Sequence, residues 1–115
     1  MIDGLRRALT EQAKIGKPIP YGELARRLAL RPPHTIHRLT EALEGLIEED
    51  AAAGRPLLAT LAASKTGQGL PGPGFFLKAE ALGLFSGDAY GADAAAFYAG
   101  ELRRAIGYYR GKAED

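Results

Sequence analysis

Between positions 26 and 38 the chain carries Arg26, Arg27, Arg31, His34, His37 and Arg38, with no acidic residue among them. Side chains of these types hold anions rather than transform them. A guanidinium offers parallel N–H donors that match phosphate oxygens, and a helix starting nearby adds free backbone N–H groups. Two readings of the cluster stand side by side: a phosphate-contacting surface, or a solvated polar face. Glu41, Glu44 and Glu48 recur on the exposed side of the helix that follows. They would repel phosphate if that helix lay deep in a groove, so only contact through its tip is comfortable.

Other candidate chemistries are thinner. His34 and His37 stand three apart, a spacing that places two imidazoles on one helix face, but a metal site needs a third ligand and none is signalled. Gly67-Gln68-Gly69-Leu70-Pro71-Gly72 reads G-x-G-x-x-G. A dinucleotide site needs that motif inside a βαβ unit, with a helix directly after it and an acidic residue about 20 positions on. The upstream region is helical, two prolines intervene or follow closely, and Asp88 has no such frame. A turn is expected there instead, with Lys65 and Gln68 available to a phosphate backbone. Ser64-Lys65 has no spaced partner for acyl transfer. There is no cysteine, which removes disulfides, thiolate metal sites and thiol nucleophiles together. No catalytic residue, metal or cofactor is assigned.

Charge is unevenly laid out. Residues 1–40 hold eight Lys/Arg against three Asp/Glu, or +5, and residues 41–54 hold five acids and no base, or −5. The remainder brings the total to +1. Hydrophobic residues at 46% and charged residues at 25% match an ordinary globular domain. The opening Met1-Ile2-Asp3-Gly4-Leu5-Arg6-Arg7 lacks the apolar stretch of a signal peptide. No apolar run approaches the roughly 18 residues that would span a bilayer. The expectation is a soluble, cytoplasmic protein with no membrane partner.

The elements that position these residues follow from periodicity. Ile2, Leu5, Leu9 and Ala13 form one stripe of a helix over 2–15, ended by Gly16. Pro18-Ile19-Pro20 enforces an extended step. A second helix runs from Tyr21 to about Leu30 with Leu24, Ala25 and Leu28 inward, and Arg31-Pro32-Pro33 breaks it. A third spans 35–53 on a stripe of Ile36, Leu39, Leu43, Leu46 and Ile47, capped by Gly54. Residues 56–63 are apolar without helical spacing and read as a buried strand. Four glycines and two prolines in residues 64–74 mark a loop. Phe75-Phe76-Leu77 reads either as the returning strand or as the start of a helix through Leu82, and a brief strand turning into a helix is the preferred reading. A last helix spans 93–110, with Phe97, Leu102, Ala105, Ile106 and Tyr109 inward. Its aromatics either cover the core or form a homodimer contact; Tyr98, Tyr108 and Tyr109 are the interface candidates, because aromatics suit such surfaces.

Helix, extended step, helix, helix, strand, glycine-rich turn and strand is the order of a winged helix-turn-helix. One segment sharpens it: Ile19-Pro20-Tyr21-Gly22-Glu23-Leu24-Ala25-Arg26-Arg27-Leu28 resembles the start of the helix-turn-helix in alkylguanine-DNA alkyltransferases and alkyltransferase-like proteins. The likeness covers about ten residues directly, and element order extends it to about 55. It implies that Tyr21 lies against a DNA phosphate and that an arginine-like role near the third helix's start falls to His37 or Arg38. The family's reactive Pro-Cys-His-Arg corresponds to Arg55-Pro56-Leu57-Leu58, so alkyl transfer is excluded. The stretch from Pro56 through Phe76 also resembles a block in small bacterial proteins to which no activity attaches.

The expected architecture is therefore α+β and mainly helical: a winged-helix-like three-helix core with a short β-hairpin wing over residues 1–78, and an added C-terminal helical extension over 79–115. The expected function is DNA binding through Tyr21, Arg26, Arg27, His37, Arg38 and Lys65. The alternative is a protein–protein interaction module, dimeric through the terminal helix.

Overall fold

The computed structural model describes residues 2, 4–64, 70–88 and 91–111. Among these residues, five α-helices and one 3-10 turn accompany a two-stranded sheet: α1 (Leu5–Ile15), β1 (Ile19–Pro20), α2 (Tyr21–Arg27), α3 (Thr35–Ala53), the 3-10 turn (Leu58–Leu61), β2 (Ala62–Ala63), α4 (Pro73–Ala81) and α5 (Ala92–Arg110). The molecule is mainly helical.

The helices follow their apolar spacing. In α1, Leu5, Ala8, Leu9, Gln12 and Ala13 are buried, the i, i+3, i+4, i+7, i+8 set of one helical face. Gly16 closes it in the left-handed region at φ 90°, donating its N–H to the Gln12 carbonyl at 3.0 Å. A side chain there would be strained. In α3 the buried set is Leu39, Leu43, Leu46, Ile47 and Asp50. Ile36, expected on this stripe, is instead 44% exposed, because it lies in the first turn, beyond the core's edge. The second helix is shorter than expected. It stops at Arg27, and Ala29 turns into the left-handed region so that the Leu30 N–H reaches the Ala25 carbonyl at 3.0 Å, closing the end in the manner of a Schellman motif.

The segment 56–63 is buried as its composition predicts, but only Ala62 and Ala63 are strand. The reason lies in where its N–H groups go. The Leu57 N–H donates to Glu101 Oε2 at 2.9 Å and the Leu58 N–H to Asp50 Oδ2 at 3.1 Å. Side chains of α5 and α3 thus take donors that a ladder would need, and the chain curls into a 3-10 turn. Thr60 completes the curl by donating both its N–H and its hydroxyl to the Leu57 carbonyl.

The β-hairpin wing is not present among the described residues. β2 pairs with β1 in parallel, Ile19 opposite Ala62 and Pro20 opposite Ala63, and Pro20 has no N–H with which to extend the ladder. Phe75-Phe76-Leu77 lies wholly inside α4, which starts at Pro73 behind Gly72. Proline at the first helical position loses no bond and presets the backbone angle. The Ser64 N–H meets the Leu70 carbonyl at 2.8 Å across the base of the loop; Lys65, Gly67, Gln68 and Gly69 lie outside the described residues.

Position 78 lies inside α4 (Pro73–Ala81), and α5 packs onto the same core as the first three helices. Its Ala94, Tyr98, Ala105 and Tyr109 belong to the same buried cluster as Leu5, Leu9, Leu24, Leu46 and Phe76. No helix among the described residues is long and apolar enough to cross a membrane.

Candidate nucleic-acid interface

The end of α2, the turn after it and the first turn of α3 make one protruding surface. Of residues 31–38 only Thr35 is half-buried; Arg31, Pro32, Pro33, His34, Ile36, His37 and Arg38 are exposed, as are Arg26 and Arg27. Leu24 and Ala25 on the inner side of α2, and Leu39 in α3, anchor this tip to the core.

Local contacts set how the tip is presented. The Arg38 guanidinium donates to the Arg31 carbonyl and so ties the two ends of the turn. His37 Nε2 stands 3.6 Å from Glu41 Oε2, one helical turn on. Arg27 Nη1 donates to Gln12 Oε1 at 3.2 Å and is partly committed to α1, whereas Arg26 meets no acidic partner among the described residues. His34, in the left-handed region at φ 60°, precedes α3 without a side-chain cap bond, so the helix's first N–H groups are open to an external acceptor. His34 and His37 are not joined by a third ligand: among the described residues no group of three His, Cys, Asp or Glu side chains stands where it could hold a metal ion.

Of the three acids on this side of α3, Glu41 stays exposed beside His37, while Glu44 and Glu48 lie along α4. Glu48 pairs with Lys78 of α4, and Glu44 lies against Gly74 at the start of α4, its Oε2 3.3 Å from where a Cβ would sit. This flank of α3 is therefore lined by α4, and the helix offers its tip rather than its length.

Tyr21 is half-buried, and its hydroxyl accepts the Gly72 N–H at 2.8 Å, just ahead of α4. Burial raises its pKa, against the opposing effect of the Gly72 N–H. The hydroxyl keeps its own proton to donate, and Tyr21 lines a small cleft with Thr40, Glu44 and Phe75. Lys65 lies outside the described residues.

No family model matches the chain, and neither a curated protein nor a solved structure matches it.

The three aromatic interface candidates differ in burial within the chain. Tyr98 is 5% exposed and its hydroxyl donates to the Thr60 carbonyl at 2.9 Å, while Tyr109 is 7% exposed. Both are core residues, held inward because they share the α5 face of Ala94 and Ala105. Tyr108 is half-buried and stacks edge-on against Tyr109 with ring centroids 4.8 Å apart.

Burial, and secondarily Tyr21, pushes the Tyr98 hydroxyl up to about 12 from its ordinary 10. Its folded pKa is raised, so the stability it contributes is complete below pH 10 and is lost as pH climbs toward 12. Alkaline unfolding should show a slope from this group of about 1.4 kcal/mol per pH unit across that window. Tyr98→Phe should flatten the slope in chemical denaturation series run at successive pH values; an unchanged slope would put the Tyr98 hydroxyl outside the core.

Sequence reasoning missed two buried acids. Asp50 is 0% and Glu101 is 8% exposed. Each continues a core stripe: Leu43, Leu46, Ile47, Asp50 in α3, and Tyr98, Glu101, Ala105, Tyr109 in α5. That spacing was the available signal.

Proposed function

We propose that this chain binds nucleic acid through backbone phosphates, presenting the tip formed by Arg26, Arg31, His34, His37 and Arg38 on a winged-helix-like scaffold. The observation that carries the reading is the continuous exposure of basic side chains over 26–38 around an uncapped helix start. Guanidinium pairs and open N–H groups are the standard recipients of phosphate oxygens. Alignment of the acidic flank of α3 with α4 favours tip-first contact over insertion of the whole helix. Tyr21 takes a secondary place, because its hydroxyl is shared with Gly72, and Arg27 contributes only the donors that Gln12 leaves.

Such binding is sequence-tolerant, since phosphate contacts position a protein without reading bases. Fluorescence anisotropy with labelled random-sequence duplex should give an affinity that falls steeply with salt. With four phosphates neutralised, the drop from about 50 to 200 mM salt is about a hundredfold. Arg26→Glu/Arg38→Glu should abolish binding at the lower salt while leaving the helical circular dichroism intact. Salt-insensitive binding, or a charge-reversed variant that binds as well as the parent, would refute the reading.

A further inference from the structure

A second set of arginines lies away from the tip. Arg6, in the first turn of α1, places Nη1 3.1 Å from Asp50 Oδ1 and Nη2 2.9 Å from Glu49 Oε1. Arg55, just past α3, places Nε 3.0 Å from the same Asp50 oxygen. Asp50 is fully buried and also accepts the Leu58 N–H, so it is a fixed post holding both guanidiniums. Each arginine side chain remains about a third exposed, at 35% and 36%. The two terminal nitrogens of Arg55 meet no acceptor among the described residues.

Arg6 and Arg55 line one surface depression with Tyr108 and Tyr109, about 710 Å³ counting its open mouth. Tyr109 supplies an independent sign of a missing partner. Its hydroxyl is buried and meets no hydrogen-bond partner among the described residues. A native structure rarely leaves such a group unsatisfied without a water, an ion or a ligand to account for it.

We propose that this depression is a binding site for a small oxyanion of the phosphate class. The free donors of Arg55 take two oxygens side by side, and Arg6 takes a third once Glu49, half exposed, swings to solvent. The Tyr109 hydroxyl donates to the anion or to a water bound with it. Asp50 stays in place and keeps the guanidiniums from turning away, so the Arg55 half of the site is built before the anion arrives and Glu49 alone must move to complete it. The inference is independent of the tip: none of these residues belongs to 26–38.

Isothermal calorimetry with inorganic phosphate, at ionic strength held constant with sodium chloride, tests it. The parent should show saturable binding. Arg55→Gln should weaken that binding about tenfold or more, the usual effect of losing hydrogen bonds from a charged donor. Because Arg55→Gln also touches Asp50, Tyr109→Phe provides a variant with every charge in place. It should unfold at a temperature no lower than the parent's, since it removes an unpaired buried hydroxyl, and still bind phosphate several-fold more weakly. Absence of saturable binding in the parent, or unchanged affinity in either variant, overturns the proposal. Excess duplex DNA separates the two sources of such an anion. Displacement of bound phosphate assigns the site to a nucleic-acid backbone, and lack of displacement assigns it to a free phosphorylated small molecule.

Discussion

Asp50→Ala should cost about 3–5 kcal/mol of folding stability, a large part of what a domain of this size possesses. The substitution removes one small side chain but strands three partners. Leu58 N–H, itself buried, loses its 3.1 Å acceptor, and Arg6 and Arg55 lose the carboxylate oxygen they share at 3.1 and 3.0 Å. The pairing alone is weak evidence for stability, since desolvating a carboxylate offsets much of the Coulomb gain. Breaking it is another matter, because the unpaired N–H remains buried in the 3-10 turn. Asp50→Asn keeps a carbonyl for the Leu58 N–H but sets an amide against the guanidiniums, so its cost should fall between zero and that of alanine. Urea unfolding at neutral pH reads both, with the slope against denaturant unchanged if the folded state keeps its compactness. An alanine cost below about 1 kcal/mol would show that water replaces the carboxylate and that Asp50 does not organise the 55–58 segment.

The parts of this fold that were legible in the sequence are those where one signal acts alone. The helix over 35–53 is found with the bounds read from Pro32-Pro33 and Gly54, because breakers and a helical stripe agree there. The exposure of Arg26 and Arg27 was legible too, since Leu24 and Ala25 mark the inner side of their helix. What was not legible depends on partners far along the chain. Residues 56–63 carry an apolar run that any buried backbone accepts. Whether it becomes strand or turn is decided by Asp50 and Glu101, 8 and 44 residues from the N–H groups they take. The same long range hides the acids themselves: residue type argues for solvent and position argues for core, and only the packed structure shows position prevailing. Tyr98 is the converse case, with residue type arguing for a surface and position for the core. An aromatic near a terminus suits an interface, but the stripe of Ala94, Tyr98 and Ala105 already placed it inward.

The clearest test of the corrected region lies in α4. Phe76 is 2% and Phe75 is 6% exposed, whereas Leu77 between them and Ala79 is 59% exposed. A strand over 75–77 would alternate, putting Phe75 and Leu77 on one face and Phe76 on the other. A helix puts Phe75, Phe76 and Ala79 together and turns Leu77 out. The rings bear this geometry: Phe75 meets Phe76 edge-on at 5.1 Å between centroids, and Phe76 meets Phe85 at 5.8 Å. Phe76→Ala should therefore cost about 3–5 kcal/mol, combining lost transfer energy with the cavity left among Phe75, Phe85 and the core leucines. Phe75→Ala should approach that figure, and Leu77→Ala should stay within about 0.5 kcal/mol. Equilibrium denaturation of the three variants distinguishes the two structures by pattern rather than by size. Similar losses at 75 and 77, with 76 tolerant, would return this segment to a strand and reopen the hairpin. Losses at 75 and 76 with 77 neutral require α4, the helix whose Lys78 and Gly74 lie against Glu48 and Glu44 of α3.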